Sequence, residues 1–160
     1  MRTPANIAGH PIHPMLITLP IGLWVFSFIC DLIATGRGPD PWSVIALYTM
    51  GGGIIGALLA AVPGLVDLLS LPPGPRKTAL THMGINLSVV VIYVINFWMR
   101  LSNPGRPGLV WLSLLTIVLL VISGWLGGKM VYVYGIGVTA GGQPEERRER
   151  TRGHAYGGGE

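Results

Sequence analysis

His10 and His13 stand three residues apart in "GHPIHPMLITLP", each followed by a proline, where a long apolar run begins. Imidazole ligates Zn, Cu, Ni and Fe, exchanges protons near neutral pH, and can hold a haem iron axially from facing helices. Asp67 in "AAVPGLVDLL" and His82 in "THMGINL" carry the same kind of chemistry, with Asn86 one helical turn beyond His82. Whether these groups meet depends on the elements that carry them.

The surrounding composition is that of a membrane protein. Half of the 160 residues are hydrophobic and only 11% are charged, too few charges for an ordinary water-facing surface. Stretches of 17, 25, 17 and 22 residues separate His13 from Asp31, Pro41 from Asp67, His82 from Arg100 and Arg106 from Lys129. About 20 apolar residues span a bilayer core. The pattern predicts four transmembrane helices, near 12–34, 42–67, 79–99 and 109–134. The first is read as a retained helix rather than a cleaved leader, because no small-residue cleavage site follows it. A charged, aperiodic tail over 140–160 is predicted to be disordered, including His154. The domain division is therefore 1–139 and 140–160.

Arginine and lysine distribution sets the orientation. Arg2, Arg76, Lys77, Lys129, Arg147, Arg148, Arg150 and Arg152 fall on the side of both termini, against Arg37, Arg100 and Arg106 on the other. Both termini are therefore expected in the cytoplasm, the chain lying in a bacterial inner membrane. Trp42, Trp98 and Trp111 fall at the outer boundary and Tyr132 and Tyr134 at the inner one, where amphipathic rings favour the interface. The positive charge lies in loops and tail rather than on a basic face, so no nucleic-acid partner is expected. Cys30 is the only cysteine; it excludes an intrachain disulfide and is expected to pack as a small hydrophobe.

Helical periodicity sorts the polar residues. His82, Asn86, Tyr93, Asn96 and Arg100 fall on one stripe of the third helix, expected to face the bundle interior. Thr49, Gly52, Gly53, Gly56, Ala60, Pro63, Gly64 and Asp67 make a small-residue stripe on the second, suited to close helix packing. "GGGIIG" at 51–56 matches the dinucleotide fingerprint, but it sits mid-span without a preceding strand. Ser113, Thr116, Ser123, Gly127 and Tyr134 make a weaker stripe on the fourth helix. Up-and-down helices bring His10, His13, Asp67 and His82 to one depth at the inner boundary. Asp31, 18 positions from His13 and some 27 Å away along the helix, marks the outer end, where it could meet Arg37 or Arg100.

"GHPIHPMLITLPIGLWVFSFICDLI", "AAVPGLVDLL", "THMGINL" and "SGWLGGKMVYVYGIGV" resemble the bacterial predicted membrane proteins grouped as domain of unknown function 2231, over about residues 8–139. The family's recurring polar positions correspond to His10, His13, Asp31, Asp67, His82 and Asn86, and its glycines to Gly127, Gly128, Gly135 and Gly137. Some relatives resemble fusions to a Rieske-type iron-sulfur domain, which implies an electron-transfer setting; these 160 residues hold none of the Cys/His ligand pairs such a domain requires.

The resulting expectation is an all-α, integral membrane four-helix bundle that binds b-type haem between the first and third helices. His82 would be one axial ligand and His13 or His10 the other, with Asn86 and Asp67 holding the tautomers, and a redox partner in or at the membrane. A second reading is a Zn, Cu or Fe(II) site of His10, His13, His82 and Asp67 for transport or sensing, with a polar path along Asn86, Tyr93 and Asn96. A third is a cofactor-free assembly subunit whose small-residue stripe docks a partner or a second copy. No nucleophile is paired with a base at a recognisable spacing, so no catalytic residue is assigned and a catalytic role for the chain alone is the least supported class.

Overall fold

The computed structural model describes residues 3–138; the expected tail, with His154, lies outside the described residues. A small antiparallel hairpin, β1 (Asn6–Ile7) and β2 (His10–Pro11), precedes five helices: α1 (Ile12–Leu16), α2 (Thr18–Arg37), α3 (Trp42–Leu69), α4 (Pro73–Arg100) and α5 (Val110–Tyr132). Four segments are long and apolar enough to cross a membrane: 12–37, formed by α1 and α2 together, and α3, α4 and α5. The four-helix membrane bundle expected from the sequence is the observed architecture.

The differences at the helix ends have local causes. Pro20 lacks an N–H and its ring presses on the carbonyl four residues back, that of Leu16, where α1 stops. The chain continues through Ile17, whose N–H reaches the His13 carbonyl (3.1 Å) and whose own carbonyl takes the Ile21 N–H (3.2 Å). The first crossing is thus one helical segment interrupted at Ile17. It runs three residues further than expected, to Arg37, and stops at Gly38 with φ +100°, a backbone conformation that favours glycine. α4 starts at Pro73, six residues before the expected boundary. Prolines in a first helical turn lose no hydrogen bond, so "PPGPRK" opens a helix rather than extending the loop. The hairpin was not expected; Ala8 (φ +50°) and Gly9 (φ +86°) make its turn.

α2 packs mainly on α3 and α4 on α5, while α3 against α4 and α2 against α5 close the ring. At its centre Trp24, Met50, Val89 and Tyr93 are buried together. The Trp24 and Tyr93 rings stack with centres 4.4 Å apart and planes 16° apart. Trp24 donates its indole N–H to the Met50 carbonyl at 3.2 Å. Gly53 lies directly against that indole, where any Cβ would collide with it. The outer surface is Leu, Ile and Val, with Trp98, Trp111 and Tyr132 exposed near helix ends, as a lipid-facing surface requires.

Candidate functional site

His13 sits in a cradle made by α3. Pro63, inside that helix, denies the Leu59 carbonyl its helical partner and distorts the turn. One residue on, the Ala60 carbonyl faces His13 Nδ1 at 2.8 Å. Gly64 leaves room for the ring: a Cβ there would stand 2.7 Å from His13 Nδ1 and 2.9 Å from Cε1. On the opposite side of the bundle, His82 Nδ1 lies 2.9 Å from the Ser123 carbonyl of α5 and 3.0 Å from the Ser123 hydroxyl. Gly127 faces this second ring, its hypothetical Cβ 3.5 Å from His82 Cε1.

Carbonyl oxygens only accept, so both histidines carry a proton on Nδ1, and at His82 the lone pair lies on Nε2. The Asn86 amide supports that assignment at His82, its Nδ2 donating to Nε2 at 3.0 Å and lying 2.9 Å from the His82 carbonyl. The two imidazoles are half-buried, their centres 6.5 Å apart and their planes at 88°. An imidazole whose Nδ1–H is fixed by a backbone carbonyl presents Nε2 in the form a metal ion takes.

The other two members of the expected cluster lie elsewhere. His10 is exposed on the hairpin, its Nδ1 donating to the Ala8 carbonyl at 3.0 Å. Asp67 is half-buried and accepts the Ala5 N–H at 2.8 Å, so it fastens the N-terminal segment to α3 rather than orienting an imidazole. Among the described residues no three of His, Cys, Asp and Glu cluster as a metal-holding group. Ser123 and the Ala60 carbonyl, by contrast, complete the site without having been singled out for it. Ser123 was legible only as a member of the α5 stripe, and Gly64 as a small residue in the α3 stripe.

A second polar group occupies the end of the bundle away from the histidines. Arg100 is ion-paired with Asp31, both buried, through Nη1 to Oδ1 and through Nη2 to Oδ2 at 3.0 Å. Arg100 Nε donates to Asn96 Oδ1 at 2.8 Å and the Ser113 hydroxyl to Asp31 Oδ2 at 2.9 Å. Asn96 Nδ2 in turn reaches Ser113 Oγ at 3.1 Å. The outer contact expected of Asp31 is therefore the one with Arg100. The polar stripe of α4 exists, yet it is not a continuous path: Val89 and Val90, with Leu119 and Leu120 of α5, fill the interval between Asn86 and Tyr93 with apolar packing. The small-residue stripe of α3 is consumed inside the chain, Gly53 by Trp24, Gly56 by Leu19 and Pro20, and Gly64 by His13.

A bundle of four membrane-crossing helices with one histidine on each side of an inner seam defines the class of protein. Residues 9–140 match the model of a family described as a predicted membrane protein, domain of unknown function 2231. The chain belongs to that family. No curated protein and no solved structure matches it.

Proposed function

We propose that this protein is a membrane electron-transfer module that holds b-type haem between His13 and His82. The observation that carries the reading is the matched pair of imidazoles, each with Nδ1–H committed to a backbone carbonyl at 2.8 and 2.9 Å. Ligand number favours haem over a bare ion. Structural zinc takes four protein ligands and catalytic zinc three, whereas haem iron needs only one or two axial side chains. The two ring centres, 6.5 Å apart, are near enough for one bound group to engage both.

Haem bound there would supply one-electron exchange at its iron. The chain's contribution is positioning. Ala60, Pro63 and Gly64 fix the His13 ring; Ser123 and Gly127 fix that of His82. The Asn86 amide, which donates to His82 Nε2, would have to release that nitrogen for it to serve as a ligand and could keep its second contact to the His82 carbonyl. The setting we propose is a bacterial inner membrane with both termini inside, supported by exposed Arg76, Lys77 and Lys129 at the histidine end. Of the arginines at the other end, Arg100 is neutralised by Asp31. A redox partner at the inner face fits the depth of the histidines.

The test is the visible spectrum of the protein purified in mild detergent from cells supplied with haem precursors, oxidised and then dithionite-reduced. A Soret band with a sharp reduced α-band is expected, lost in His13→Ala and His82→Ala and kept in His10→Ala. A colourless protein overturns the haem reading, and stoichiometric metal in such a sample would replace it with a metal site.

A further inference from the structure

Arg76 and Lys77 stand at the start of α4 and Lys129 in the last turn of α5, all three exposed. Met130 packs against the cluster of Leu68, Leu71 and Ala79, so these ends of the two antiparallel helices lie level, at the boundary beyond His82. Lys129 is well placed for its helix: a cation is favoured at a helix C-terminus, and its Nζ lies 5.9 Å from the centre of the Tyr134 ring. Arg76 and Lys77 are not. A helix N-terminus favours negative charge, yet the first turn of α4 holds no acidic residue. Asp67, the carboxylate at this end, is committed to the Ala5 N–H, and among the described residues the ion pair formed is that of Asp31 with Arg100. Three cations at one level are thus left without a carboxylate.

The surface one turn deeper is apolar. Leu80, on the face of Arg76, is 46% exposed, and Trp125, on the face of Lys129, is 80% exposed. Positive charge at the boundary above exposed apolar side chains complements a lipid, which carries its phosphate above hydrocarbon. We propose that Arg76, Lys77 and Lys129 bind the headgroup phosphate of an anionic phospholipid whose acyl chains lie along Leu80 and Trp125. The phosphate offsets the excess of positive charge and supplies the anion that the start of α4 lacks. A free phosphate would answer the cations but leave the apolar surface beneath them unused, and the lipid engages both. The site is separate from the imidazoles and stands whether or not haem binds.

The test uses the full-length protein, stripped of lipid in mild detergent and titrated with phosphatidylglycerol or phosphatidylcholine, with retained lipid read by native mass spectrometry. Phosphatidylglycerol is expected to be retained better by on the order of a hundredfold, three cations contributing about fivefold each. Arg76→Gln, Lys77→Gln and Lys129→Gln should each weaken its retention about fivefold, with helicity by circular dichroism unchanged. Arg106→Gln, exposed at the opposite end, should leave retention as in the wild type. Equal retention of the two lipids by the wild type overturns the proposal without recourse to any variant. So does undiminished retention in the three variants, or an equal loss in Arg106→Gln, which would make the effect one of overall charge. Complete displacement of phosphatidylglycerol by inorganic phosphate at equal concentration would show a free-anion site and overturn the assignment to lipid.

Discussion

Replacing Gly64 by alanine puts the His13 cradle under direct test. The added Cβ would lie 2.7 Å from His13 Nδ1 and 2.9 Å from Cε1, while carbon contacts relax at about 3.5–4.0 Å. The ring must therefore withdraw by roughly 1 Å, and the Nδ1 contact to the Ala60 carbonyl, 2.8 Å in the structure, stretches beyond hydrogen-bonding range. Overpacking of this kind costs about 1–3 kcal/mol, and the lost hydrogen bond about another 1 kcal/mol. Alanine returns up to about 1 kcal/mol through its helix propensity. The net expectation is a loss of about 1–3 kcal/mol. Gly84→Ala is the control: that position lies in α4 with nothing within 4 Å of its Cβ, so only the propensity gain applies. Unfolding in detergent followed by circular dichroism reads the stability, and the reduced α-band reads the ligand. Equal stability of the two variants, with unaltered spectra, would refute the claim that Gly64 is there to seat His13.

Two further expectations concern the ends of the bundle. Because Asp31 and Arg100 are both buried, Asp31→Asn or Arg100→Gln alone should cost about 3–5 kcal/mol, whereas a double change to apolar residues of similar volume should cost far less; additive losses in a double-mutant cycle would contradict this. Asp67→Ala removes the acceptor of the Ala5 N–H, so amide exchange over residues 5–11 should accelerate while α3 stays protected, and unchanged exchange there would show that the hairpin is held by other contacts.

The membrane-crossing helices were legible because spans of apolar residues and the length of a bilayer leave few alternatives. Their ends were legible to within a turn, except where proline acts in opposite senses: Pro20 interrupts a helix that apolarity predicts as continuous, whereas Pro73 opens one that proline content predicts as loop. That His82 would lie level with His13 and His10 followed from depth; which of the two faces it did not. The exclusion of Asp67 did not, because it depends on the N-terminal segment folding back to offer an N–H, and a two-residue β pairing leaves almost no periodic signal. Asp31 was legible as a group at the end away from the histidines but not as a member of a four-residue network, since that required knowing how α2 is rotated against α4 and α5. Ser123 contributes its main-chain oxygen as well as its hydroxyl, and backbone acceptors cannot be read from residue types.

Most of the hydrogen bonds that cross between helices hold the molecule as two hairpins, which the buried Asp31 ties together through Arg100 and Ser113 at one end. Ser27 to the Ala46 carbonyl, Trp24 to Met50 and His13 to Ala60 fasten the first crossing to α3 at three levels, stepping in opposite directions along the two helices. His82 to Ser123 and Asn96 to Ser113 do the same for α4 and α5. Each hairpin is thus locked against sliding within itself, and each contributes one imidazole to the seam. The gap between those rings lies at the end away from the Asp31 tie, so a tilt of one hairpin against the other about that tie would open or close it.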